Sequence, residues 1–550
     1  IVTSIQLALT RDLDRSIQEY DRIQDPQTFA KVRQKVGFLK KFTVGSNLER
    51  EQKAFKKFLE VNAHMGNMRG FRFPTETHVH VNMPIRSKIL VRARALMHAV
   101  LGSLDEDEWF EQCCHSSGSS IGVPYTNTAI ERKFTFPISC TSRIKNRLLR
   151  YFSFNSQMRD AIVAYNSERL ISGAVFEIVD GSQASTVRKS DEIDRFMAKE
   201  PTGNMFLQLG LMSCMFDRMK SYNLDVSSLP ALHQQLAQTA SLTGLDATID
   251  WSSASDCNAV ELCEYLTPRS WFEKIMEVRC DFTFIKGQKT ALNMISTMGN
   301  AVTFPLMTLV LWTLSQACRM TFEGKYPSTA TLPSWSSLSK CSTFGDDCIV
   351  PSNIAPLFIQ VCSSFGFLIN DKKSFYDDEG FRESCGGDYY RGHDVSVYKI
   401  TAPESTKQWA LEPWLYTVFN RLLQKYILYF GRLNTFQHHE VFDVLMTLFT
   451  SYAIDIKIVP LDYPEDSGLR VSPLDIRRLL GRYANSFSEV SVDVHGLKRF
   501  TYLKFEYLSA NPQDDRIRLA DWLNTPTRHT RPKIWKYNPH RRVGRYIEAT

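Results

Sequence analysis

The chain has 550 residues, 43% of them hydrophobic and 23% charged, so it can hold several subdomains and is not a disordered chain. Its net charge of +7 is mildly basic, which fits a polyanionic partner without requiring one. The twelve cysteines form no Cys-x-x-Cys pair, so we expect reduced thiols and neither a disulfide framework nor a zinc site.

The beginning of the chain shows no signal-peptide pattern. One long uncharged run, 290–318, contains Asn, Gly and Pro, and its continuous apolar part, 306–314, is too short to cross a bilayer. We therefore expect a buried helix there and a soluble intracellular protein.

The first 70 residues have a charged, helical pattern with one apolar face, for which packing is the default role. A basic stretch with interleaved Phe and Tyr follows, at Arg132, Lys133, Arg143, Lys145, Arg147 and Arg150. It suits either single-stranded nucleic acid or a solvated helix face.

The segment 170–187 then alternates apolar and polar residues around Gly181-Ser182, which predicts a hairpin that turns there. The cations after it, at 188–199, suit a triphosphate or a mixed-charge surface.

Two segments suggest a metal site. The strand pattern at 245–250 ends at Asp250 and leads into a helix pattern, so this carboxylate is expected at the rim of a sheet. Gly345-Asp346-Asp347 lies between two apolar arms and predicts a tight β-hairpin. Alone it would be a solvated turn, but with Asp250 on a neighbouring strand end it predicts a site for two Mg²⁺ in phosphoryl transfer.

The remaining elements are predicted from local pattern. A glycine-containing loop at 295–304 precedes the apolar helix, and a basic turn at 370–375 precedes an aromatic β segment at 381–393. Helices are expected at 411–433 and 441–456. The end, 528–545, carries seven Lys or Arg and is expected to form an extended basic arm, either in contact with RNA or as a solvated tail.

These motifs, in this order, resemble the palm motifs of viral RNA-dependent RNA polymerases. More closely, 247–256, 296–304, 344–347 and 381–386 resemble the replicase β subunit of the positive-strand RNA bacteriophages, the leviviruses. The resemblance covers roughly 187–401, and neither end of the chain matches a motif. It implies an α+β right-hand polymerase whose antiparallel palm sheet is backed by helices.

The resemblance also implies a division of the chain. Residues 1–150 would form an N-terminal helical region and part of the fingers, and 151–240 the rest of the fingers with a basic NTP-binding loop. Residues 241–400 would form the palm, and 401–550 a helical thumb with the basic arm.

The family's chemistry implies roles for the acids and for one lysine. Asp250, Asp346 and Asp347 would hold two Mg²⁺ ions, for which Mn²⁺ is a substitute, with Asp346 the firmer ligand and Asp347 partly redundant. Lys373 would protonate the leaving pyrophosphate as a general acid. Asp256 would sense the ribose 2′-OH.

Further residues are implied for nucleotide binding. Gly299 and Asn300 would assist Asp256, and Glu200 would brace the basic loop. The cations that would hold the incoming triphosphate are Lys189, Arg195 and Lys199. The sequence departs from the family pattern at Glu192, where a lysine is expected, and in an extra stretch at 326–338.

The implied function is RNA-dependent RNA synthesis that replicates a phage genome in the cytoplasm of the infected bacterial host. The implied partners are template and product RNA, NTPs, host elongation factors Tu and Ts and ribosomal protein S1, with no membrane. A reverse transcriptase is one alternative, although that class normally has a bulky aromatic residue where this chain has Asp256. A non-catalytic RNA-binding protein is the other, and the three acids together with Lys373 argue against it.

Overall fold

The structure is a computed structural model. It describes residues 1–17, 25–43, 48–116, 118–123, 128, 130–171, 173–324, 338–377, 380–403, 405–430, 439–454, 456–470, 491–493, 496–507 and 542–549. Nearly all of the extra stretch at 326–338 and most of the predicted basic arm lie outside the described residues.

The helices of these residues are α1 (Val2–Ser16), α2 (Pro26–Gly37), α3 (Leu48–Asn67), α4 (Ile85–Leu101), α5 (Glu106–Glu111), α6 (Ile130–Lys133), α7 (Lys145–Phe154), α8 (Ser156–Glu168), α9 (Thr202–Lys220), α10 (Leu229–Thr243), α11 (Val260–Leu266), α12 (Arg269–Val278), α13 (Thr303–Glu323), α14 (Ala355–Ser363), α15 (Gln408–Phe430) and α16 (Glu440–Ser451).

The strands are β1 (Ile138–Cys140), β2 (Phe176–Ile178), β3 (Ser182–Arg188), β4 (Asp194–Lys199), β5 (Asp246–Ser252), β6 (Phe282–Ile285), β7 (Gln288–Ala291), β8 (Ser342–Phe344), β9 (Asp347–Pro351), β10 (Leu368–Ile369), β11 (Phe381–Ser384), β12 (Gly387–Tyr390), β13 (His393–Asp394), β14 (Ile458–Val459), β15 (Leu469–Arg470), β16 (Ser491–Asp493), β17 (Gly496–Tyr507) and β18 (Arg542–Ala549). The expected mixture of helices and sheets is confirmed.

A four-stranded sheet in the order β10-β5-β9-β8 lies at the centre of the larger core. Its neighbouring strands are antiparallel, and β8 and β9 form the predicted hairpin around Gly345 and Asp346. Helix α13 packs on this sheet and is buried from Thr303 to Met320 except at Phe304, as expected for an apolar helix of the core. Among the described residues, no helix is both long and apolar enough to cross a membrane.

A second sheet has the order β4-β3-β6-β7, and here one prediction was wrong. The chain does not turn back at Gly181, because β2 pairs with β1 and the hairpin joins β3 to β4 instead. Glycine is required at position 181 because the backbone there passes close to that of Phe282. A Cβ on residue 181 would lie 2.2 Å from the carbonyl oxygen of Phe282. The true turn, 189–193, has no glycine or proline, and the Ser190 hydroxyl accepts hydrogen bonds from the backbone N–H groups of Glu192 and Ile193.

The two ends of the described chain share a second core. Side chains of α1 and α2 pack with those of α15 and α16. The buried Asp12 carboxylate accepts hydrogen bonds from the Tyr426 hydroxyl and from the first backbone N–H groups of α16.

The C-terminal region, expected to be helical, also contains β16–β18, whose sequence is rich in aromatic residues that favour strands. All twelve cysteines are free thiols, as predicted.

Candidate active site

Three carboxylates meet at one end of the central sheet. Asp250 on β5 lies directly opposite Asp347 on β9, and Asp346 occupies the exposed turn just before β9. Gly345 has a φ of +63°, and a Cβ there would lie 2.8 Å from Cε2 of Phe304. Its N–H donates to the Thr308 hydroxyl at 3.0 Å, which seats the turn on α13. The hairpin is therefore held in place from behind.

Neighbouring loops hold two of the acids by hydrogen bonds. The Asn370 amide donates to the Asp250 carboxylate, and the Asp250 N–H donates to the Ser374 hydroxyl at 3.1 Å. The Cys385 N–H donates to Asp347 at 3.0 Å. Sequence reasoning singled out the segments 370–375 and 381–386 but missed these hydrogen bonds, since each partner is more than thirty positions from its acid.

Burial and mutual repulsion raise the pKa of two of these acids. Burial raises the pKa of Asp250 to about 6, and the charge of Asp346 adds to the rise. Burial likewise raises the pKa of Asp347 to about 7, again with the charge of Asp346. Within the described part of the chain, no Lys or Arg forms an ion pair with any of the three. Acidic groups without an ion-pair partner, held this close together, suit a cationic ligand.

The described residues hold no cluster of three or more His, Cys, Asp or Glu side chains arranged to bind a metal ion. The donors of Asp250, Asp346 and Asp347 nevertheless fit a hard divalent cation, because they are carboxylate oxygens. The mutual repulsion that raises two of their pKa values would also be relieved by such an ion. The two-ion site stays a prediction.

Lys373 lies near the acids, two of which act on its charge. Its ammonium forms an ion pair with Glu383 at 2.7 Å. Burial opposes the charge, but Glu383, Asp250 and Asp347 together outweigh it and raise the pKa of Lys373. The lysine is therefore protonated at neutral pH, as a proton donor must be.

The tip of the β3–β4 hairpin brings two predicted cations towards the same place. Desolvation by the surrounding protein lowers the pKa of Lys189, as do the charges of Arg195 and Lys57, whereas Asp250 and Asp346 oppose the change. Lys189 is thus within electrostatic reach of the acids. Arg195 is exposed on β4.

Two other residues of this loop contribute no cation at the hairpin tip. Lys199 is four residues beyond Arg195 on the same strand, about 13 Å further along it, so the structure does not bring it to the hairpin tip. Glu192 is exposed in the turn itself. Neither residue adds positive charge beside the acids.

Glu200 is a buried residue that links neighbouring segments by hydrogen bonds. It is 1% exposed and accepts hydrogen bonds from the Gln208 amide at 3.0 Å and the Cys280 thiol at 3.2 Å. Burial raises the pKa of Glu200. It ties the end of β4 to α9, in keeping with the predicted supporting role.

Asp256 is buried among polar side chains that have free hydrogen-bonding capacity. It is 7% exposed, and among the described residues its Oδ1 has no partner; neither have the hydroxyls of Ser296 and Thr297. Burial raises the pKa of Asp256 to about 7, and a hydrogen bond from the Met298 backbone opposes the rise. Asn300 lies just before α13, and its side chain accepts a hydrogen bond from the Val302 N–H at 2.9 Å.

Gly299 joins the segment beside Asp256 to β4. Its φ is +114°, and a Cβ there would lie 2.0 Å from the carbonyl oxygen of Ala198. The neighbouring N–H of Ala198 donates to the Met298 carbonyl at 2.7 Å, so the two segments are tightly joined. Only glycine fits this position.

We expect Gly299→Ala to lower the free energy of unfolding by about 1–3 kcal/mol more than Gly287→Ala does. Gly287 is the matched control, because its φ of +83° carries similar strain while nothing lies within 4 Å of its Cβ position. Denaturant unfolding of both variants measures the difference. Equal losses would mean that the contact with Ala198 is not a constraint.

A further cation comes from α3, for which the sequence predicted only packing. The Lys57 ammonium donates to the Ser252 hydroxyl at 3.3 Å, and its charge acts on Asp256 and on Lys189. The available signal was that Lys57 shares the inward stripe of the helix with Arg50, Ala54 and Val61.

Comparison with known proteins identifies the family. The family model described as RNA replicase, beta-chain, matches residues 4–422, which extends the resemblance well beyond 187–401 and into the N-terminal helices. A solved chain of the BmCPV RNA-dependent RNA polymerase covers 88% of this chain and 39% of its own length at 10% identity. Its TM-score of 0.39 supports no inference.

Three curated phage proteins illustrate the similarity. The RNA-directed RNA polymerase beta chain of Enterobacteria phage fr is 30% identical over 355 residues, 64% of this chain and 61% of that protein. The MS2 beta chain is 32% identical over 54% of this chain and 50% of its own length, and the Escherichia virus Qbeta subunit is 30% identical over 65% and 56%. The chain thus spans between half and about three fifths of the length of these relatives. Since the family model matches 4–422 of the 550 residues, this chain belongs to the RNA replicase β-chain family.

Proposed function

We propose that this chain is an RNA-dependent RNA polymerase that adds ribonucleotides to the 3′-OH of a growing RNA and releases pyrophosphate. The observation that carries the proposal is the strand register that sets Asp250 opposite Asp347, with Asp346 at the adjoining turn. Cationic Lys189 and Lys373 both act electrostatically on this acidic group. Family membership supports the same reaction.

Each group has a role that follows from its position. Asp250, Asp346 and Asp347 would hold two Mg²⁺ ions, or Mn²⁺ in their place. When bound, such ions activate the attacking oxygen and stabilise the leaving one. Lys189 and Arg195 would bind the triphosphate, Asp256 with Gly299 and Asn300 would receive the ribose, and Lys373 would donate a proton to the pyrophosphate. Lys199 has the weakest support.

We also propose the right-hand arrangement of this polymerase class. The β10-β5-β9-β8 sheet with α13 behind it would be the palm, within 241–400. The β3–β4 hairpin, within 151–240, and part of 1–150 would form the fingers, and 401–550 the thumb. Because α1 and α2 share a core with α15 and α16, the first residues of the chain would support the thumb.

The proposed partners are template and product RNA, NTPs, and the host elongation factors Tu and Ts, with ribosomal protein S1 for some templates. The proposed location is the cytoplasm of the infected bacterium. Support for a multisubunit enzyme is the "beta chain" wording in the relatives' names.

A direct experiment tests the activity. The purified chain is incubated with template RNA, labelled NTPs and Mg²⁺, with and without elongation factors Tu and Ts. Template-dependent labelled RNA in either condition supports the proposal, and its absence in both contradicts it. Replacing the NTPs by dNTPs tests the reverse transcriptase alternative, which a preference for dNTPs would favour.

We expect Mg²⁺ to raise the melting temperature more at pH 8 than at pH 5.5. The pKa values of Asp250, about 6, and Asp347, about 7, lie above the ordinary 3.8, so ionisation of these groups costs stability as pH rises through 6–7. Metal ions bind the ionised form, so the Mg²⁺ effect should appear over that same interval. Thermal melts with and without Mg²⁺ measure it. An effect of equal size at both pH values, or one retained by Asp250→Asn, would contradict the assignment.

A further inference from the structure

Helix α3 is fixed against the β4-β3-β6-β7 sheet by contacts along its length. Arg50 forms a buried ion pair with Asp194 at 3.2 Å, and Phe58 stacks on Phe196 with ring centroids 3.6 Å apart. One turn further on, the Asn62 amide donates to the carbonyl of Ala291. A side chain on the inward stripe of this helix is therefore held in a defined place.

Lys57 is such a side chain. It is partly buried, and its ammonium reaches the Ser252 hydroxyl between Asp250 and Asp256 in sequence. Its neighbours on the outer face behave differently: Lys53 pairs with Glu49 at 2.7 Å, and Lys56 is largely exposed and approaches Glu60 at 4.0 Å. Within the described residues Lys57 forms no such ion pair.

The charges around Lys57 indicate an anionic ligand. Lys57 and Arg195 both act on Lys189 as like charges, so three cations converge where no protein carboxylate pairs with any of them in the described structure. Like charges held together in this way favour binding of a polyanion. On the other side, Lys57 acts on Asp256, the residue proposed to receive the ribose, whose buried Oδ1 has no partner among the described residues.

We propose that Lys57 is a further nucleotide-binding residue, which contacts the incoming ribonucleoside triphosphate where its ribose joins the α-phosphate. This rests on the proposed polymerase function. The ammonium would leave the weak 3.3 Å bond to Ser252 and bind the nucleotide oxygens between Asp256 and Lys189. Helix α3 thereby becomes a wall of the site.

Covalent labelling tests this position in the unmutated chain. Periodate-oxidised GTP carries a dialdehyde at its ribose, which condenses with a nearby lysine amine, losing water, and borohydride then fixes the imine. We expect peptide mapping to find label on Lys57, and excess GTP with Mg²⁺ to prevent it. Lys56, one position away and exposed, should label weakly and without protection. Equal labelling of both lysines, or none on Lys57, would overturn the inference.

Kinetics supply the second readout. We expect Lys57→Gln to raise KM for GTP about tenfold with a smaller change in kcat, and Lys57→Arg to recover most of the affinity. Lys56→Gln should change neither. If Lys57→Gln lowers kcat and the melting temperature while KM stays that of the wild type, the residue only supports the fold.

These experiments distinguish failure of the Lys57 assignment from failure of the proposed polymerase function. A wild-type chain that extends RNA but shows neither protected labelling of Lys57 nor a KM effect overturns this inference alone. A wild-type chain that neither extends RNA nor shows GTP-protected labelling overturns both.

Discussion

Replacing Asp346 by asparagine is expected to reduce template-directed RNA synthesis about 10³-fold, which corresponds to about 4 kcal/mol of lost transition-state stabilisation. Asp346 is exposed at the tip of the β8–β9 turn, and its charge raises the pKa of both Asp250 and Asp347. An asparagine keeps the size of the side chain but removes the charge that would bind a divalent ion. The loss should fall on kcat.

The fold should not change with this substitution. An exposed turn residue contributes little to packing, and loss of the Asp346 charge relieves its repulsion with Asp250 and Asp347, so the melting temperature in the absence of divalent ions should be at least that of the wild type. Asp371→Asn, an exposed acid in the basic turn at 370–375, is the control and should keep full activity.

The same substitution at the neighbouring acid, Asp347, provides a comparison with Asp346→Asn. Asp347 is partly buried and already accepts a hydrogen bond from the Cys385 N–H, so Asp347→Asn should cost less activity than Asp346→Asn. Initial rates of labelled RNA synthesis over a range of NTP concentrations measure all three variants. Activity of Asp346→Asn within tenfold of wild type would contradict the assignment of Asp346 as a metal ligand.

The parts of this site that could be predicted are marked by patterns within short segments of the sequence. Asp250 ends a strand pattern, and Asp346 follows a glycine between two apolar arms, so the two acids could be paired before their register was known. The apolar run that became α13 was equally clear. In each case a short segment contains the reason for its own structure.

The parts that were missed depend on distant contacts. Lys57 meets Ser252 across 195 positions, and nothing within α3 shows which element will cover its inward stripe. Gly181 looked like a turn residue, but it is a glycine because another strand's backbone passes close by. The actual turn, at 189–193, is set by the Ser190 side chain, a weaker signal than glycine or proline.

Replacing Asp256 by alanine is expected to reduce the preference for ribonucleotides over 2′-deoxyribonucleotides about 10²-fold. The buried Oδ1 of Asp256 has no partner among the described residues, so a ribose 2′-OH that bonds to it would satisfy both groups. A deoxyribose would leave the oxygen unpaired. Competition between GTP and dGTP for incorporation measures the ratio for each variant.

Titration separates this role from a structural one. Because burial raises the pKa of Asp256 from 3.8 to about 7, the carboxylate forms only above that pH, and the wild-type preference should increase from pH 6 to pH 8. Asp256→Asn should show a pH-independent and weaker preference. A preference that Asp256→Ala leaves unchanged would contradict the assignment.

Stability supplies the complementary readout. A carboxyl whose pKa is raised by folding destabilises the folded state above that pKa, so ionised Asp256 costs free energy at pH 8. Asp256→Asn should therefore gain stability relative to wild type as the pH rises from 6 to 8, while it loses discrimination. If Asp256 served only packing, Asp256→Asn would instead lose stability and keep its discrimination. An acid that costs stability at the pH where it discriminates is best explained by its ligand.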